Sequence, residues 1–428
     1  MNKYLMGFLS LVPLGIGICQ SVGPTAEEDY LTGKGTDPVL ELQKQIQAGA
    51  IKLVFEPKKG YLRSILAELK ISPSSQILVF SKTSLQTPFI SASTPRAIYF
   101  NDRTYVGWIP GAPYLEFASV DPKRGPRFYT LRNTEQRQPA FNYQKDECLQ
   151  CHDSTMTSHV PGLTARSVFA GSDGQPRLAS GTFVTSDKSP FSERWGGWYV
   201  TGSHGSMRHM GNEPARGDDT NATIDMERGA NVTDLRPYFE AEPYLTPRSD
   251  IVALMVAEHQ MSVQNLITKA GFLTRNAIRD ESIFSPELVG TGKHSESTKS
   301  RIAHACEPLV EALLFVNEAP LTSPVVGSNS FATEYSATAP KDHLGRSLSQ
   351  LDLRTRLLRF RVSPMIYSDS FKELTPEAKT QTLRRLVEIL SDKDQSAIFQ
   401  HISKDDREVG RQILSETLPE FKASILSK

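Results

Sequence analysis

The spacing of apolar residues along the chain changes from strand-like to helical. Short aromatic or β-branched runs, separated by turn residues, lie at 76–80, 97–100, 104–109, 115–120 and 127–131. Such runs predict an antiparallel meander. Toward the C-terminus, apolar residues recur every three or four positions, which predicts helices. The pattern therefore predicts an α+β protein with a β-rich N-terminal and central part, followed by a mainly helical C-terminal part.

The same pattern divides the chain into five regions. They are a signal peptide over 1–21, a linker over 22–37, an α/β region with the meander over 38–140, a loop-rich segment over 141–245 that contains the cysteine pair discussed below as a cofactor-binding motif, and a mainly helical region over 246–428.

Local signals add several elements to this division. A strand is expected at 51–55 and an amphipathic helix at 60–70. Ser249 or Asp250 can cap the first helix of the C-terminal region, and Thr375 followed by proline starts another.

The N-terminus has the layout of a secretory signal peptide. Lys3 precedes an apolar run over 4–18, and small or polar residues follow at 19–21. Cleavage could use Gly17-Ile18-Cys19 or Cys19-Gln20-Ser21, or Cys19 could become an acylated lipoprotein cysteine that anchors the protein. We therefore expect an exported protein of the bacterial periplasm or cell surface, with no transmembrane span in the mature chain.

Composition narrows the class of function. Lys and Arg together number 48, as do Asp and Glu, and no basic stretch is interleaved with aromatics. Nucleic acid is therefore not an expected partner. The chain contains 4 cysteines, too few for a disulfide framework, and Cys306 is expected to be a buried thiol.

Cys148-Leu149-Gln150-Cys151-His152 matches C-x-x-C-H, the attachment motif of c-type haem. Each thiol can add to a vinyl group of the porphyrin, and the adjacent imidazole can reach the iron. The alternatives are a packed or disulfide-bonded pair, a zinc site and a thioredoxin-like redox motif. The chain has no second C-x-x-C to complete a zinc site, and residues 142–147 are too polar for the core strand that precedes a thioredoxin-like motif. We expect one covalent haem c on Cys148 and Cys151, with His152 as the proximal iron ligand.

The second axial position of the iron has several candidates. They are His204 and His209 in one glycine-bounded loop, His259 on the apolar face of a later helix, and Met156, Met207 and Met210. Each has a structural alternative: a solvated loop, a hydrogen-bonded core histidine or a methionine that fills the core. Trp195 and Trp198 are expected to pack rather than to take part in redox chemistry.

Several stretches beside the motif resemble one protein family. They are Tyr105-Val106-Gly107-Trp108, the run from Trp195 to Gly202, His204-Gly205, the run from Arg208 to Asn212, and the run from Ser363 to Ser368. Together with the motif they resemble large exported bacterial proteins that carry one C-x-x-C-H and are described only as cytochrome c domain-containing. The resemblance covers nearly the whole mature chain and implies haem c binding at the motif, without an established reaction.

Three functions are compatible with these residues. The first is an exported c-type cytochrome that transfers electrons with a redox partner protein. The second is a haem-dependent oxidoreductase of peroxidase type, acting on a small-molecule oxidant at an open axial position, where His204, Arg208 and His209 could move a proton and stabilise charge. The third is a haem sensor or binding module. The first requires the fewest unproven residues.

Overall fold

The computed structural model describes residues 23–426. The predicted signal peptide and Cys19 lie outside these residues. Within them, the α+β prediction is confirmed: a seven-stranded sheet and loop-rich segments come first, and a mainly helical part follows. No helix among residues 23–426 is long and apolar enough to cross a membrane.

The elements are numbered in chain order. The helices are α1 Ala26–Thr32, α2 Pro38–Gln47, α3 Leu62–Glu68, α4 Asp146–His152, α5 Ile251–Phe284, α6 Glu296–Leu313, α7 Phe331–Tyr335, α8 Asp369–Lys372, α9 Pro376–Leu390, α10 Lys404–Thr417 and α11 Pro419–Leu426. The strands are β1 Ile77–Val79, β2 Arg96–Phe100, β3 Thr104–Trp108, β4 Tyr114–Asp121, β5 Gly125–Arg132, β6 Phe141–Gln144, β7 Ala165–Val168, β8 Thr182–Thr185, β9 Trp198–Tyr199, β10 Gly202–Ser203 and β11 Val326–Gly327.

The large sheet is antiparallel, with the strand order β6-β5-β4-β3-β2-β1-β9. Because side chains alternate between the faces of a strand, each face carries its own core. One face, with Tyr99 and Val106, packs against α2 and α3. The other face, with Ile98 and Phe128, packs against the start of α5 and the segment after the motif. The motif therefore lies over the second face.

Two N-terminal predictions are wrong. The expected linker contains α1, which begins with a capping box between Thr25 and Glu28, a signal for a helix start that the sequence does carry. Tyr30 of this helix is buried and its hydroxyl donates to the Pro126 carbonyl at 2.8 Å. The expected strand at 51–55 pairs with no strand of the described chain. The N–H groups of Ile51 and Val54 donate instead to the Gln45 carbonyl and to Ser64 Oγ.

Helix α5 connects the two halves of the protein. Its first three turns, to Met261, pack against the second sheet face, whereas Val263 and Ile267 belong to the core that α6 and α9 form. The predicted start of α9 after Thr375 is confirmed. Cys306 of α6 is fully buried, and burial raises its pKa to about 11, so the expectation of a buried thiol is also confirmed.

Asp250 fixes the start of α5 to the irregular connection that follows α6. Its Oδ1 accepts hydrogen bonds from the backbone of Val252 and Ala253, at 2.9 and 3.1 Å. Its Oδ2 accepts from the backbone N–H groups of Ser328 and Asn329. Asp250, Val252 and Ala253 are completely buried, so the two helix donors cannot turn to water instead.

We predict that Asp250→Ala lowers the free energy of unfolding by about 2–4 kcal/mol, since it removes a helix cap and leaves buried backbone donors unpaired. Urea unfolding followed by circular dichroism measures the change. Ser403→Ala, which removes a cap from α10 at an exposed position, serves as the control and should cost about 1 kcal/mol or less. Equal losses in the two variants would contradict the role of Asp250 in joining two segments.

Candidate functional site

Helix α4 carries the C-x-x-C-H motif. Cys151 and His152 follow Cys148 by three and four residues, so both lie on the same side of the helix as Cys148. Cys148 is half-buried against the core of the second sheet face, Cys151 is exposed, and both are free thiols. Burial, with the negative charges of Glu116 and Glu147, raises the pKa of Cys148 to about 11.

His152 is held by two hydrogen bonds to Gly162. Its ring Nδ1 lies 2.8 Å from the Gly162 carbonyl oxygen, and its own carbonyl accepts from the Gly162 N–H at 2.8 Å. Since a carbonyl can only accept, Nδ1 carries the proton and Nε2 keeps the lone pair. Burial lowers the pKa of the imidazole, against the Gly162 hydrogen bond, which raises it. His152 is therefore a neutral imidazole whose Nε2 lone pair is free to bind a metal ion.

Helix α5 fixes the position of Gly162 through Asn265. The Asn265 side chain accepts from the Leu163 N–H at 2.8 Å and donates to the Leu163 carbonyl at 2.7 Å. A Cβ at position 162 would lie 2.6 Å from Asn265 Oδ1 and 2.7 Å from Thr157 Cβ, so only glycine fits there. The ring of Phe128 lies 4.5 Å from that of His152, centroid to centroid, and limits its rotation.

These residues fit a covalent haem c. Two thiols without a disulfide partner lie on one helix face with an imidazole whose Nε2 is available, and the Nδ1–carbonyl contact is the kind of support that metal-bound histidines use. Among residues 23–426, no three or more His, Cys, Asp and Glu side chains are grouped to hold a metal ion.

His204 has both ring nitrogens in use. Nδ1 lies 2.8 Å from the Met207 carbonyl oxygen, and Nε2 accepts from the Asn231 N–H at 3.0 Å. The ring is buried. The prediction that this side chain faces the haem iron is not supported, because its lone pair is already engaged by a backbone donor.

His209 lies beside His204, with ring centroids 4.7 Å apart. Its Nδ1 accepts from the Gly211 N–H at 3.0 Å, so the proton of the neutral ring is on Nε2. Burial, followed by the charges of His204 and Arg208, lowers its pKa to about 3. The ring packs 5.2 Å from Trp195, also centroid to centroid. Like His204, it makes none of the contacts described for His152, and its tautomer offers no lone pair at Nε2.

Arg208 shares an acceptor with His204. Its guanidinium donates to the carbonyl oxygen of Met207, which His204 Nδ1 also contacts, and to that of Gly205. It also pairs with Glu227 at 2.7 Å on the protein surface. The structure thus brings His204, Arg208 and His209 together, with the ring lone pairs of both histidines engaged by backbone donors.

His259 is buried on α5, as its place on the apolar face predicts. Its Nε2 lies 2.7 Å from Ser363 Oγ, and its Nδ1 lies 3.4 Å from Asp187 Oδ1. The ring stacks on Phe315 with centroids 4.4 Å apart. These partners are those of a hydrogen-bonded core histidine, the alternative to a ligand role.

The two tryptophans pack, as expected. Trp195 is buried between Phe191 and His209. Trp198 is buried on the second sheet face, and its Nε1 donates to the Arg166 carbonyl at 2.8 Å.

The sequence interpretation missed the residues that hold His152. Phe128 comes from the middle of the meander, and Asn265 comes from α5, far from the motif along the chain. Only Gly162 lies close enough to the motif to be noticed, and its hydrogen bonds to His152 have no sequence signature of their own.

A buried ionic group lies beside His259. Arg194 Nη1 is 3.3 Å from Glu258 Oε2, and both side chains are almost completely buried. Glu258 Oε1 and Asp187 Oδ2 are buried without a hydrogen-bond partner in the part of the chain that the structure describes. Burial raises the pKa of Glu258 to about 7, although Arg194 opposes the shift. The pKa of Asp187, in contrast, is lowered: burial raises it, but the contacts with His259 and Arg194 outweigh burial.

We predict that Glu258→Gln flattens the pH dependence of stability between pH 5 and 8. Native Glu258 keeps its proton to a higher pH than Glu258 in the unfolded chain. Its contribution to the stability of the wild type is therefore complete below the pKa in the unfolded chain, and it is lost as the pH rises through the pKa in the folded protein. The loss should be about 1–3 kcal/mol. Urea unfolding at several pH values tests this, with Glu420→Gln, at an exposed position, as the control. Parallel curves for wild type and Glu258→Gln would refute it.

Comparisons with known proteins leave this site to be interpreted from its own geometry. No family model, curated protein or solved structure matches the chain.

Proposed function

We propose that this chain is an exported c-type cytochrome with one haem attached covalently to Cys148 and Cys151 and with His152 as the proximal iron ligand. The observation that carries the proposal is the hydrogen bond from His152 Nδ1 to the Gly162 carbonyl. It leaves Nε2 with its lone pair beside two free thiols. The lone pairs of His204 and His209 accept backbone hydrogen bonds, and His259 Nε2 is paired with Ser363.

Each residue around the motif has a defined part in this proposal. Cys148 and Cys151 bind the porphyrin edge, and His152 supplies the iron ligand. Gly162 and Asn265 orient the imidazole, and Phe128 covers one side of its ring. When bound, a haem c supplies an iron that cycles between the ferrous and ferric states.

We infer electron transfer with a redox partner protein as the primary function. The residues that support it are those of the motif, and it needs no proton-moving group. A haem-dependent oxidoreductase of peroxidase type is the second candidate. It is favoured by one observation: the three histidines proposed for the second axial position hold other partners, which would leave that position to one of the three methionines or to an exogenous ligand. Carbon monoxide and cyanide binding separate the two, since a closed iron resists both ligands.

We predict that Cys148→Ala or Cys151→Ala weakens covalent haem retention and that the double variant abolishes it. Each thioether is an independent covalent link to the porphyrin. Protein matured in an exporting host with cytochrome c attachment machinery is denatured, and the haem that stays with the chain is measured as the pyridine haemochrome. Cys306→Ala, a variant at a buried thiol outside the motif, is the control for general cysteine loss. Covalent haem in the double variant would disprove the assignment.

His152→Ala should leave haem attached but change the iron spin state, because the imidazole is lost while both thioethers remain. His209→Gln and His259→Gln should leave the visible and electron paramagnetic resonance spectra unchanged, since His209 Nδ1 and His259 Nε2 are held by partners within the protein. A conversion from low-spin to high-spin iron in either glutamine variant would instead identify that histidine as the second axial ligand.

A further inference from the structure

An ion pair lies on the sheet face beneath the motif. Arg96 of β2 and Glu116 of β4 meet across Gly107 of β3, with Arg96 Nη1 at 2.7 Å from Glu116 Oε2. A Cβ at Gly107 would lie 3.6 Å from Arg96 Cδ and 3.5 Å from Glu116 Cβ. Glycine at position 107 therefore places no side chain between the two charged groups, whose side chains are 17% and 15% exposed.

The two partners are satisfied to different degrees. Glu116 Oε1 also accepts from Ser84 Oγ at 3.1 Å and from Gln86 Nε2 at 3.2 Å. Arg96 Nε is buried and has no hydrogen-bond partner in residues 23–426. Glu116 thus has three partners for its two carboxylate oxygens. Arg96 still has its Nε–H group to donate to another acceptor.

The pair is close to the motif. Phe128, which contacts the His152 ring, is paired with Ala118, two residues along β4 from Glu116 and on the same face. The charges of Arg96 and Glu116 both act on His152, and Glu116 also acts on Cys148. Arg96 is therefore an arginine of the sheet whose positive charge acts on the His152 imidazole.

We propose that Arg96 binds a haem propionate through its unpartnered Nε–H, which positions the haem over Gly107; this inference rests on the haem proposed above. A propionate carries a full negative charge, and burying it without a cation is costly. A guanidinium presents parallel N–H donors that match a carboxylate, which an ammonium group does not. The positive charge also favours the reduced iron, because reduction adds an electron.

The test compares Arg96→Gln and Arg96→Lys with Arg132→Gln, at an exposed position at the end of β5. Haem content is measured as the pyridine haemochrome, the midpoint potential by spectroelectrochemistry, and the propionate bending band by resonance Raman spectroscopy. In Arg96→Gln we expect normal haem content and about a threefold to tenfold lower ratio of reduced to oxidised protein at a fixed potential. The Raman band should shift.

Arg96→Lys keeps the charge and the fold, so it should restore the ratio while the Raman band stays shifted, because a point charge replaces the planar donor group. Arg132→Gln should change neither. If the haem is present but both Arg96 variants keep the wild-type band and ratio, the role of Arg96 is refuted while the haem assignment stands. If wild-type protein carries no covalent haem, the proposed function itself fails. Should Arg96→Gln fail to fold, the Raman band of Arg96→Lys alone decides.

Discussion

The arrangement of the candidate site depends on the pair of hydrogen bonds between His152 and Gly162. One of them fixes the imidazole tautomer, and the other fixes the backbone at the end of α4. Since Asn265 holds the next residue, Leu163, from both sides, the loop from 153 to 161 is closed at its base. The imidazole is thus oriented by the scaffold and not by the loop that follows it in the chain.

Helix α5 is the element through which this support reaches the rest of the protein. The same helix carries Asn265, the buried Glu258 and His259, and apolar side chains that enter both the core of the second sheet face and the core around α6 and α9. Asp250 at its start ties down the connection near Ser328. In the buried first half of the helix, Arg194 and Asp187 approach Glu258 and His259 from the loop-rich segment.

The sequence predicts much of the fold, because the periodic signals are local. The meander, the start of α5 and the start of α9 all follow from patterns within a few residues. The helix at 26–32 could also have been found, since Thr25 and Glu28 form a recognisable capping box. The strand expected at 51–55 fails for a different reason: alternation gives a chain two faces but does not supply a neighbouring strand.

The candidate site is predictable only in the motif itself. C-x-x-C-H is contiguous, so Cys148, Cys151 and His152 are visible in the sequence. Whether another histidine can bind a metal depends on which nitrogen carries its proton. Partners elsewhere in the chain make that choice, as the Asn231 N–H does for His204.

The contact between Asn265 and Leu163 also has a consequence for the order of folding. The two residues are 102 positions apart, so a chain that folds from its N-terminus presents the motif before the residue that anchors its surroundings. Once α5 docks, Cys148 is half-buried while Cys151 stays exposed. Folding therefore restricts access to the thiol of Cys148 and leaves that of Cys151 open. For the cytochrome proposed above, this means that Cys148 has to be attached before α5 docks, whereas Cys151 does not.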